Sequence, residues 1–374
     1  MVEAPLRTLH LNTERTWRGG EAQTLHLVRG LRREGHVADL VCPPGSPLGA
    51  RAAAAGIDAM PLRMRGEADM IAAWRIRRLL ARGAYDLVHA HTSHAHTLAA
   101  MAALGRPARV IVSRRVDFSI FRRSFFGLNR LKYRYGADRI ISVSEAIRQV
   151  LVRDGVQAER ITTVHSGIDP ARFPESDFHA PLPADLPVPA DAPLVVNTAH
   201  LTPHKGQIHL IRAFPEVLRA VPSAVLLIVG DGELRGALAA EIERLGLGGK
   251  AVLAGFRTDI GPILGRTTVY AMPSIEEGLG TAVLDAFLFA LPVVASRAGG
   301  IPEMIDDGRN GLLVPPGDPG ALAAAIAGLL ADAPRRRALG AAARETVLAR
   351  FTNDRMVRGT IAVYRDVLSG RAAR

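Results

Sequence analysis

A proline-rich segment near the middle of the chain limits the folds open to it more than any other feature. Seven prolines occur among the 24 residues from Pro170 to Pro193. Proline lacks a backbone N–H and its ring clashes inside a helix, so this segment is neither a helix nor a central strand. It is therefore predicted to be a linker between two parts of similar length. The whole chain, at 374 residues, is long for one core and ordinary for two domains.

On each side of this linker, short β-rich runs alternate with helical stretches. Alternation of this kind predicts parallel sheets with helices on both faces, which is an α/β architecture. Helices fill the gaps, and a final helical segment, 334–368, is broken near 351–354. Because ligands of such sheets bind at the carboxyl ends of strands, two facing domains would form an interdomain cleft. The predicted strands are 7–11, 37–41, 86–91, 109–113, 139–143, 194–198, 225–229, 250–254, 268–272, 292–296 and 312–314.

Composition excludes several classes of protein. Hydrophobic residues make up 48% and charged residues 22%, a normal globular balance. No run approaches the roughly 20 apolar residues that a membrane span needs, and the first eleven residues lack the apolar stretch of a secretory signal. The single cysteine, Cys42, excludes an internal disulfide framework and a cysteine-based zinc site. The expected compartment is the cytoplasm.

The net charge of +11 is concentrated in the first half of the chain. Residues 1–180 contain 27 Lys and Arg against 17 Asp and Glu, a balance of +10, whereas the remainder contains 20 against 19. A basic half suggests an anionic membrane, an acidic glycan or nucleic acid as its partner. A coding bias toward arginine is the alternative explanation.

Within this half, the segment 114–135 combines seven basic residues with six aromatic ones. Such a mixture suits a membrane interface or a lipid acceptor, where rings enter the headgroup region and cations meet anionic lipid. It also resembles surfaces that bind single-stranded nucleic acid, a partner that we do not expect here. Alternatively, the aromatic residues pack into the core and the arginines are solvated. The candidate acceptor or membrane residues are Arg114, Arg115, Phe121, Phe125 and Phe126.

A glycine turn between two carboxylates marks the most informative site in the second half. Glu277 precedes the turn, and Asp285 lies about two turns into the helix that follows it. The N–H groups of Gly280, Thr281 and Ala282 at the helix start have no partner within the helix and can bind a phosphate oxygen. The carboxylates can accept hydrogen bonds from sugar hydroxyls. N–H groups that donate hydrogen bonds to phosphate, beside carboxylates that accept them from sugar hydroxyls, indicate a nucleotide-sugar site.

Lys205 follows the strand 194–198 and begins a helix. A cation in the first turn opposes the helix dipole by about 0.3–1 kcal/mol, so a bound anion is a reasonable compensation. A solvated surface lysine is the alternative.

Four histidines, His89, His91, His94 and His96, lie within eight residues. His91 falls at the carboxyl end of its strand, where it can bond a substrate hydroxyl or stabilise positive charge through its carbonyl. A metal-dependent hydrolase built on His89 and His91 would require further ligands, and no acidic partner is evident. We therefore expect no metal ion and read His89 as a packed core histidine.

Two glycine motifs carry weaker signals. Gly19 and Gly20 follow the first strand, where backbone N–H groups could approach a ligand closely, although a tight turn would look the same. Gly230-Asp231-Gly232 follows a later strand, but the spacing of its glycines does not fit a dinucleotide fingerprint. It is better explained as a plain strand-to-helix turn, so nicotinamide binding is not expected.

Taken together, these motifs make the chain resemble, over nearly its whole length, the large family of retaining glycosyltransferases often called family four. The order and spacing of the motifs carry the resemblance, because each is weak alone. They are Gly19-Gly20, Val88-His89-Ala90-His91-Thr92, Ser142-Val143-Ser144-Glu145, Ser166-Gly167-Ile168-Asp169, His204-Lys205-Gly206, Gly230-Asp231-Gly232, Glu276-Glu277-Gly278-Leu279-Gly280, Ala298-Gly299-Gly300-Ile301-Pro302-Glu303 and Asn310-Gly311-Leu312-Leu313-Val314.

The resemblance implies the GT-B fold: two Rossmann-like, doubly wound parallel-sheet domains with an interdomain cleft. The domains are predicted at 1–172 on the acceptor side and 194–350 on the nucleotide-sugar side. The linker is 173–193, and the helical segment 351–374 crosses back to the first domain.

The resemblance also implies roles for particular residues. Lys205 would bind the diphosphate, Glu277 the hydroxyls of the donor sugar and Asp285 those of the ribose. His91 would lie beside sugar and acceptor. Gly19 and Gly20 would close over the diphosphate. Further predicted donor contacts are His200, Gly232, Phe256, Arg257, Gly280, Thr281 and Ala282.

The chain departs from the family pattern at two positions. Asp285 stands where the family usually has glutamate, which leaves a change of donor open. His200 stands where the family usually has an arginine beside its phosphate lysine. If His200 must be protonated, donor affinity is predicted to fall as the pH rises past about 6.5–7.

The predicted function is a retaining, metal-independent glycosyltransferase without a cofactor. It would move a sugar from a nucleotide sugar to a glycan or lipid-linked acceptor in cell-envelope polysaccharide or lipopolysaccharide synthesis. Peripheral contact with the inner face of the cytoplasmic membrane is a further expectation. The alternatives are a nucleotide-sugar epimerase of the same fold, a His-x-His metal-dependent hydrolase, and a non-catalytic sugar-nucleotide binding protein.

Overall fold

The computed structural model describes residues 4–121 and 128–370, and it divides the chain into two compact units. The first unit contains the chain up to Gly167 together with the residues from Asn353 onward. The second unit is Ile168–Thr352. Each unit is built on its own parallel sheet, so the predicted α/β architecture with two doubly wound domains is confirmed.

The first unit has a seven-stranded parallel sheet in the order β3-β2-β1-β4-β5-β6-β7. Its central strands are buried on both faces, as is usual in a parallel sheet covered by helices. Because β1 pairs with both β2 and β4, the winding direction reverses between β1 and β4. The strands are β1 (Arg7–Leu11), β2 (Val37–Cys42), β3 (Met60–Pro61), β4 (Leu87–Ala90), β5 (Arg109–Arg114), β6 (Arg139–Ser142) and β7 (Ile161–Thr163).

Helices of the first unit come from both ends of the chain. The last helix packs on the first one so closely that a Cβ on Gly30 would lie 2.3 Å from Val357 Cγ2. This contact explains why the final helix belongs to the first unit. The helices are α1 (Gly19–Arg33), α2 (Pro47–Ala54), α3 (Met70–Gly83), α4 (Ser93–Ala103), α5 (Leu128–Tyr135), α6 (Glu145–Arg153) and α13 (Asn353–Leu368).

The second unit has a six-stranded parallel sheet in the order β10-β9-β8-β11-β12-β13. Here the winding reverses between β8 and β11. Its strands are β8 (Leu194–Thr198), β9 (Val225–Val229), β10 (Ala251–Gly255), β11 (Val269–Met272), β12 (Val293–Ser296) and β13 (Leu312–Val314). Its helices are α7 (Gln207–Ala220), α8 (Arg235–Arg244), α9 (Ile260–Gly265), α10 (Thr281–Leu288), α11 (Pro319–Ala331) and α12 (Ala333–Arg350).

The proline-rich segment is packed against the second unit. Asp177 lies so close to α9 that a Cβ on Gly261 or Gly265 would collide with it. Asp185 accepts a hydrogen bond from Arg257 at 2.6 Å. The segment predicted as a linker is therefore part of the second unit along much of its length.

All the predicted strands are present, with ends shifted by no more than two residues. The helical segment at the carboxyl end is also confirmed, since α12 and α13 are separated by the residues 351–352. Two edge strands of the first sheet, β3 and β7, were not predicted. They contain two and three residues, too few to show a period in the sequence. Within the described ranges, no helix is long and apolar enough to cross a membrane.

Candidate functional site

The candidate donor site lies where the winding of the second sheet reverses. In open α/β sheets, ligands bind beyond the carboxyl ends of the strands at such a reversal. The chain leaving β8 reaches the short 3₁₀ turn Pro203–Lys205. The chain leaving β11 continues into the loop that carries Glu277, and α10 follows. The fold therefore places Lys205 and Glu277 on the loops where a ligand is expected.

Gly206 allows these two loops to meet. It has a φ of 66°, a conformation that favours glycine, and a Cβ at this position would lie 2.1 Å from the carbonyl oxygen of Pro273. The approach is fixed by the His204 carbonyl, which accepts hydrogen bonds from the N–H groups of Ile275 at 2.8 Å and Glu276 at 3.2 Å. Backbone contacts therefore hold the lysine loop against the glutamate loop.

As a result, Lys205 and Glu277 form an ion pair. Lys205 Nζ lies 2.5 Å from Glu277 Oε2, and both side chains are largely buried. Ser274 donates a further hydrogen bond to the same oxygen at 3.2 Å. Gly280, with a φ of 89°, precedes α10 and lies against Glu277. Lys205 and the start of α10 thus bring positive charge and free backbone N–H groups to one place, which is the requirement for binding phosphate.

Asp285 faces a different partner, Arg172. One guanidinium nitrogen of Arg172 lies 2.7 and 2.8 Å from the two carboxylate oxygens. Burial raises the pKa of Asp285 to about 6, and Arg172 opposes this shift. Burial raises the pKa of the Tyr270 hydroxyl, and the charges of Asp285 and Glu277 add to this shift. Asp285 is therefore a carboxylate whose charge depends on its arginine.

Four other residues were predicted to contact the donor, and their placement suits that role to different degrees. Gly232 packs on the loop that carries His200: a Cβ there would lie 2.5 Å from the carbonyl oxygen of Leu201. The side chain of His200 is exposed. Phe256 follows β10 and is 67% exposed, so its ring is available to stack on a base. Arg257 fits a donor role poorly, because its guanidinium already binds two carboxylates, those of Asp185 and Asp259.

In the first unit, His91 belongs to a cluster of three buried histidines at the reversal between β1 and β4. His10 comes from β1, and His89 and His91 come from β4 and the residue after it. His10 Nδ1 lies 3.0 Å from His91 Nε2. His89 contacts the hydroxyls of Tyr364, at 2.5 Å, and Ser113, at 2.8 Å. His10 was not predicted, since no motif of the first strand singled it out.

Arg115 fixes the proton positions in this cluster. Its guanidinium can only donate, so His91 Nδ1, at 3.2 Å, is an acceptor and the His91 proton lies on Nε2. That proton is donated to His10 Nδ1, and His10 Nε2 in turn donates to Thr8 Oγ1 at 3.0 Å. Burial, together with the charge of Arg115, lowers the pKa of His10 to about 3 and that of His91 well below its ordinary value. Both ring nitrogens of His91 are engaged, and its backbone carbonyl accepts a hydrogen bond from Arg115 at 3.3 Å. A carbonyl oxygen has a second lone pair, so this carbonyl is the group of His91 that could still contact a substrate.

The three histidines are close enough together to be tested as metal ligands, with ligand atoms within 4.8 Å of one another. Their neutral state suits coordination. However, the Arg115 guanidinium touches His91, so a divalent cation would meet a positive charge, and the hydrogen bonds among the rings would have to break. The arrangement is better described as a hydrogen-bonded chain than as a metal centre.

Gly19 and Gly20 form the first two residues of α1 rather than a loop before it. The turn is held by Glu21, whose carboxylate accepts a hydrogen bond from the Arg18 N–H at 2.9 Å. A Cβ on Gly20 would lie 3.7 Å from the side chain of Arg115. Arg115 therefore lies between this glycine turn and His91, the residue predicted beside the acceptor. Its buried guanidinium does not fit a membrane surface.

The rest of the basic and aromatic segment is mixed in its placement. Arg114 donates to the Phe118 carbonyl at 2.6 Å and to the buried Tyr133 hydroxyl at 3.2 Å. Phe121 is exposed, whereas Phe125 and Phe126 lie outside the described residues. A cavity of about 200 Å³ adjoins α5, and its lining is basic. The residues that line it are Arg130, Tyr133, Arg134, Gly155, Val156, Gln157 and Arg160.

An exposed apolar patch on α3 adjoins this segment and was not predicted. Its members, Met70, Ile71 and Trp74, are 66%, 64% and 53% exposed. Just before α3, Glu67 accepts a hydrogen bond at 2.8 Å from Lys132 of α5. The start of α3 is therefore next to the basic and aromatic segment.

Two family models match the chain, one in each half. The model described as Glycosyltransferase Family 4 matches residues 17–172, and the one described as Glycosyl transferases group 1 matches residues 181–346. A GDP-mannose-dependent alpha-(1-6)-phosphatidylinositol monomannoside mannosyltransferase of Mycolicibacterium smegmatis is 32% identical over 290 residues. That match covers 73% of this chain and 75% of the relative.

A second relative and a solved structure extend the comparison. The lipopolysaccharide core biosynthesis glycosyltransferase LpsE of Rhizobium meliloti is 34% identical over 171 residues, which are 46% of this chain and 49% of LpsE. The crystal structure of HepE from Anabaena in complex with UDP and glucose matches with a TM-score of 0.83 at 22% identity. It covers 96% of this chain and 99% of HepE, which shows that the two share the GT-B fold.

Proposed function

Because the chain belongs to the glycosyltransferase family that these two models describe, and is therefore an enzyme that transfers sugar, we propose that it is a retaining, metal-independent transferase. Its donor is a nucleotide-diphosphate sugar, and its acceptor is a glycan or a lipid-linked glycan. The observation that carries the proposal is the Lys205–Glu277 pair beside the start of α10, at the reversal of the second sheet.

In this proposal the second unit stabilises the leaving diphosphate without a metal ion. The Lys205 ammonium and the first N–H groups of α10 supply positive charge for the phosphate oxygens. When phosphate arrives, it competes with Glu277 for Lys205, which frees the carboxylate to accept hydrogen bonds from sugar hydroxyls. Asp285 receives the ribose hydroxyls, and the exposed ring of Phe256 stacks on the base.

Retention follows from the same assignment. A departing phosphate oxygen can take the acceptor's proton while the new bond forms on the same face, so no side chain is needed as a base. His91 fits this account, because neither of its ring nitrogens is free to take a proton. Its backbone carbonyl, which accepts one hydrogen bond from Arg115 and has a second lone pair, is the group assigned to the sugar and the acceptor.

The first experiment measures thermal unfolding with UDP, GDP, ADP and CMP, each with and without EDTA. The nucleotides named for the mycobacterial relative and for HepE make GDP and UDP the first to test. A nucleoside diphosphate at about 100 times its dissociation constant stabilises the native state by roughly 2.7 kcal/mol. A shift with one diphosphate that survives EDTA supports the proposal. No shift with any of them, or a large loss of stability with EDTA alone, contradicts it.

Two substitutions then test the site. Lys205→Ala and Glu277→Ala are each expected to abolish nearly all transfer while the circular dichroism spectrum stays that of the wild type. The matched control is Lys250→Ala, which removes a partly exposed lysine of the same unit whose ammonium donates to the carbonyl of Pro222. If either site variant keeps most of its activity, the site assignment is wrong.

For the acceptor, we propose a lipid-linked or envelope glycan reached at the inner face of the cytoplasmic membrane. The support comes from the basic first half, the exposed Phe121, and the patch formed by Met70, Ile71 and Trp74. Apolar side chains flanked by arginines bind anionic lipid surfaces. The mycobacterial and rhizobial relatives, by their names, act on a phosphatidylinositol mannoside and in lipopolysaccharide core synthesis.

Co-sedimentation with vesicles tests this part separately. Ile71→Ser/Trp74→Ser and Phe121→Ser are expected to weaken binding to vesicles that contain phosphatidylglycerol. The control is Leu348→Ser, which removes an exposed apolar residue of the second unit. Unchanged sedimentation of the first two variants would contradict the membrane proposal and leave the donor site untouched.

A further inference from the structure

The ion pair between Arg172 and Asp285 is not part of the motifs that define the donor site. Arg172 lies near the start of the second unit, whereas Asp285 lies in the second turn of α10. The Asp285 side chain is only 14% exposed, and that of Arg172 is 46% exposed. The aspartate is therefore reached from the surface past its arginine.

Apolar packing holds Arg172 in this position. Its guanidinium lies over the ring of Phe173 at 4.9 Å, and Phe173 meets the ring of Phe289 edge to face at 4.9 Å. Phe289 directly follows α10 and also stacks on Phe178 at 4.3 Å. The arginine is thus anchored to the same helix that carries its carboxylate, so the pair is a built feature rather than a chance surface contact.

The geometry of the pair leaves part of the carboxylate free. A carboxylate has two oxygens and about four directions in which it can accept hydrogen bonds. A single nitrogen of Arg172 reaches both oxygens, at 2.7 and 2.8 Å, and so occupies the side on which the oxygens face each other. One outward direction on each oxygen is left. Because these two directions diverge, each can accept a hydrogen bond from a single hydroxyl.

We propose that Arg172 is a positioning residue for the ribose: it orients Asp285 so that one outward direction of the carboxylate meets the 2′-hydroxyl of the ribose. This inference rests on the proposed function, because it takes Asp285 as the ribose contact. It adds Arg172 to the residues assigned above, as the group that sets both the orientation and the charge of the Asp285 carboxylate.

Charge supports the same role. The groups that act on Asp285 are Arg172 and the neutral Tyr270 from β11. Arg172 is the one among them that favours the ionised form. Without it, nothing offsets the effect of burial, and the pKa of Asp285 rises further. The variant is then partly protonated at neutral pH and accepts a hydrogen bond from the ribose hydroxyl less well.

The test compares ribonucleotides with their 2′-deoxy forms. The affinities of UDP, GDP, 2′-deoxy-UDP and 2′-deoxy-GDP are measured by calorimetry from pH 6 to 8.5 for wild type, Arg172→Gln, Arg172→Lys and Asp285→Asn. For the ribonucleotide that binds, Arg172→Gln is expected to lose at least fivefold in affinity at pH 7 and to recover part of it at pH 8.5. Asp285→Asn loses affinity without this recovery. The 2′-deoxy forms are affected little in either variant.

Arg172→Lys keeps the charge but lacks the planar guanidinium, so it is expected to restore the wild-type pH profile and not the discrimination between ribose and 2′-deoxyribose. The matched control is Arg297→Gln, which removes an exposed arginine of the same unit that pairs with Asp307 at 2.9 Å. It is expected to leave both readouts unchanged. A purely structural role for Arg172 would lower thermal stability and move neither the pH profile nor the discrimination.

Two outcomes overturn the inference by itself. If Arg172→Gln binds the ribonucleotide more tightly, the arginine competes with ribose for Asp285. If the wild type discriminates against 2′-deoxyribose and Arg172→Gln does so equally well, the arginine has no part in the contact. If the wild type binds none of the nucleotides, the proposed function itself fails.

Discussion

Replacing Gly206 with alanine tests the backbone contact that brings Lys205 to Glu277. Gly206 combines a φ of 66° with a carbonyl oxygen of Pro273 placed 2.1 Å from where its Cβ would be. Heavy atoms do not approach so closely, so the alanine can be accommodated only if the two loops separate. Separation breaks the bonds from Ile275 and Glu276 to the His204 carbonyl and lengthens the ion pair.

The expected loss of stability has two parts. An L-residue in the left-handed region costs roughly 1–2 kcal/mol. Two weakened backbone hydrogen bonds cost about 0.5–1.5 kcal/mol each. Gly206→Ala is therefore expected to lower the free energy of unfolding by about 2–5 kcal/mol. Because Lys205 moves away from the start of α10, nucleoside diphosphate affinity should fall at least tenfold.

Two other glycines of the same unit separate the causes. Gly246 has a φ of 64°, and a Cβ there would have no neighbouring atom within 4 Å, so Gly246→Ala carries the conformational strain alone. Gly236 lies in α8 and is free of both features, so Gly236→Ala is expected to be neutral or slightly stabilising. Urea unfolding gives the three stabilities, and calorimetry with UDP and GDP gives the affinities.

Two results would refute this account of Gly206. If Gly206→Ala costs no more than Gly246→Ala, the collision with Pro273 has no energetic consequence. If Gly206→Ala loses stability but binds nucleotide as the wild type does, the contact holds the fold without positioning Lys205.

Three further changes test other parts of the molecule. Asp285→Asn is expected to raise the free energy of unfolding at pH 7–8 by up to about 3 kcal/mol. The pKa of about 6 lies some two units above the ordinary value of 3.8, and each unit is worth about 1.36 kcal/mol. A raised carboxyl pKa stabilises the folded state at low pH, and this contribution is lost as the pH rises through 6. The neutral asparagine does not carry this loss. Urea unfolding from pH 4.5 to 8 checks this, and a destabilised variant at pH 8 would contradict it. Gly30→Ala should lower the free energy of unfolding by about 1–3 kcal/mol, because its methyl group overpacks α1 against Val357. Val357→Ala in the same chain should recover part of that loss, which a double-mutant cycle measures. Finally, calorimetric affinity for UDP or GDP should rise as the pH increases through 6, because the ionised Asp285 accepts a hydrogen bond from the ribose; Asp285→Asn should remove this rise, and a flat wild-type profile would contradict it.

The sheets and most helices could be predicted because they depend on local patterns. The buried strand β9 is a continuous apolar run, and β8 begins with one. The broken helical segment at the end of the chain follows its own periodicity. The order of the strands is less local, yet right-handed crossovers leave few alternatives for alternating strands and helices. The proline-rich segment was harder to place, since the packing of Asp177 on α9 depends on Gly261 and Gly265, which are far along the chain from it.

The site was only partly predictable, because its pairings join residues that are distant in sequence. The motifs identified Lys205 and Glu277 separately, but the contact between them requires Gly206 to meet Pro273. His10 is an ordinary strand residue until β1 and β4 are adjacent and His91 lies beside it. Arg115 was assigned to an acceptor or membrane surface because its segment is rich in basic and aromatic residues. Composition does not show the direction in which a single arginine side chain points.

Asp285 shows how a departure from a family pattern changes its meaning once its neighbours are known. By sequence, the missing methylene left a change of donor open. In the structure, the shorter carboxylate already meets Arg172 with both oxygens in a site that is only 14% exposed. A longer side chain would have to push Arg172 from its place over Phe173. Asp285→Glu is therefore expected to leave UDP and GDP affinity unchanged or lower it, and Arg172→Gln in the same chain should relieve the crowding. Tighter binding by Asp285→Glu alone would mean that the arginine imposes no such limit.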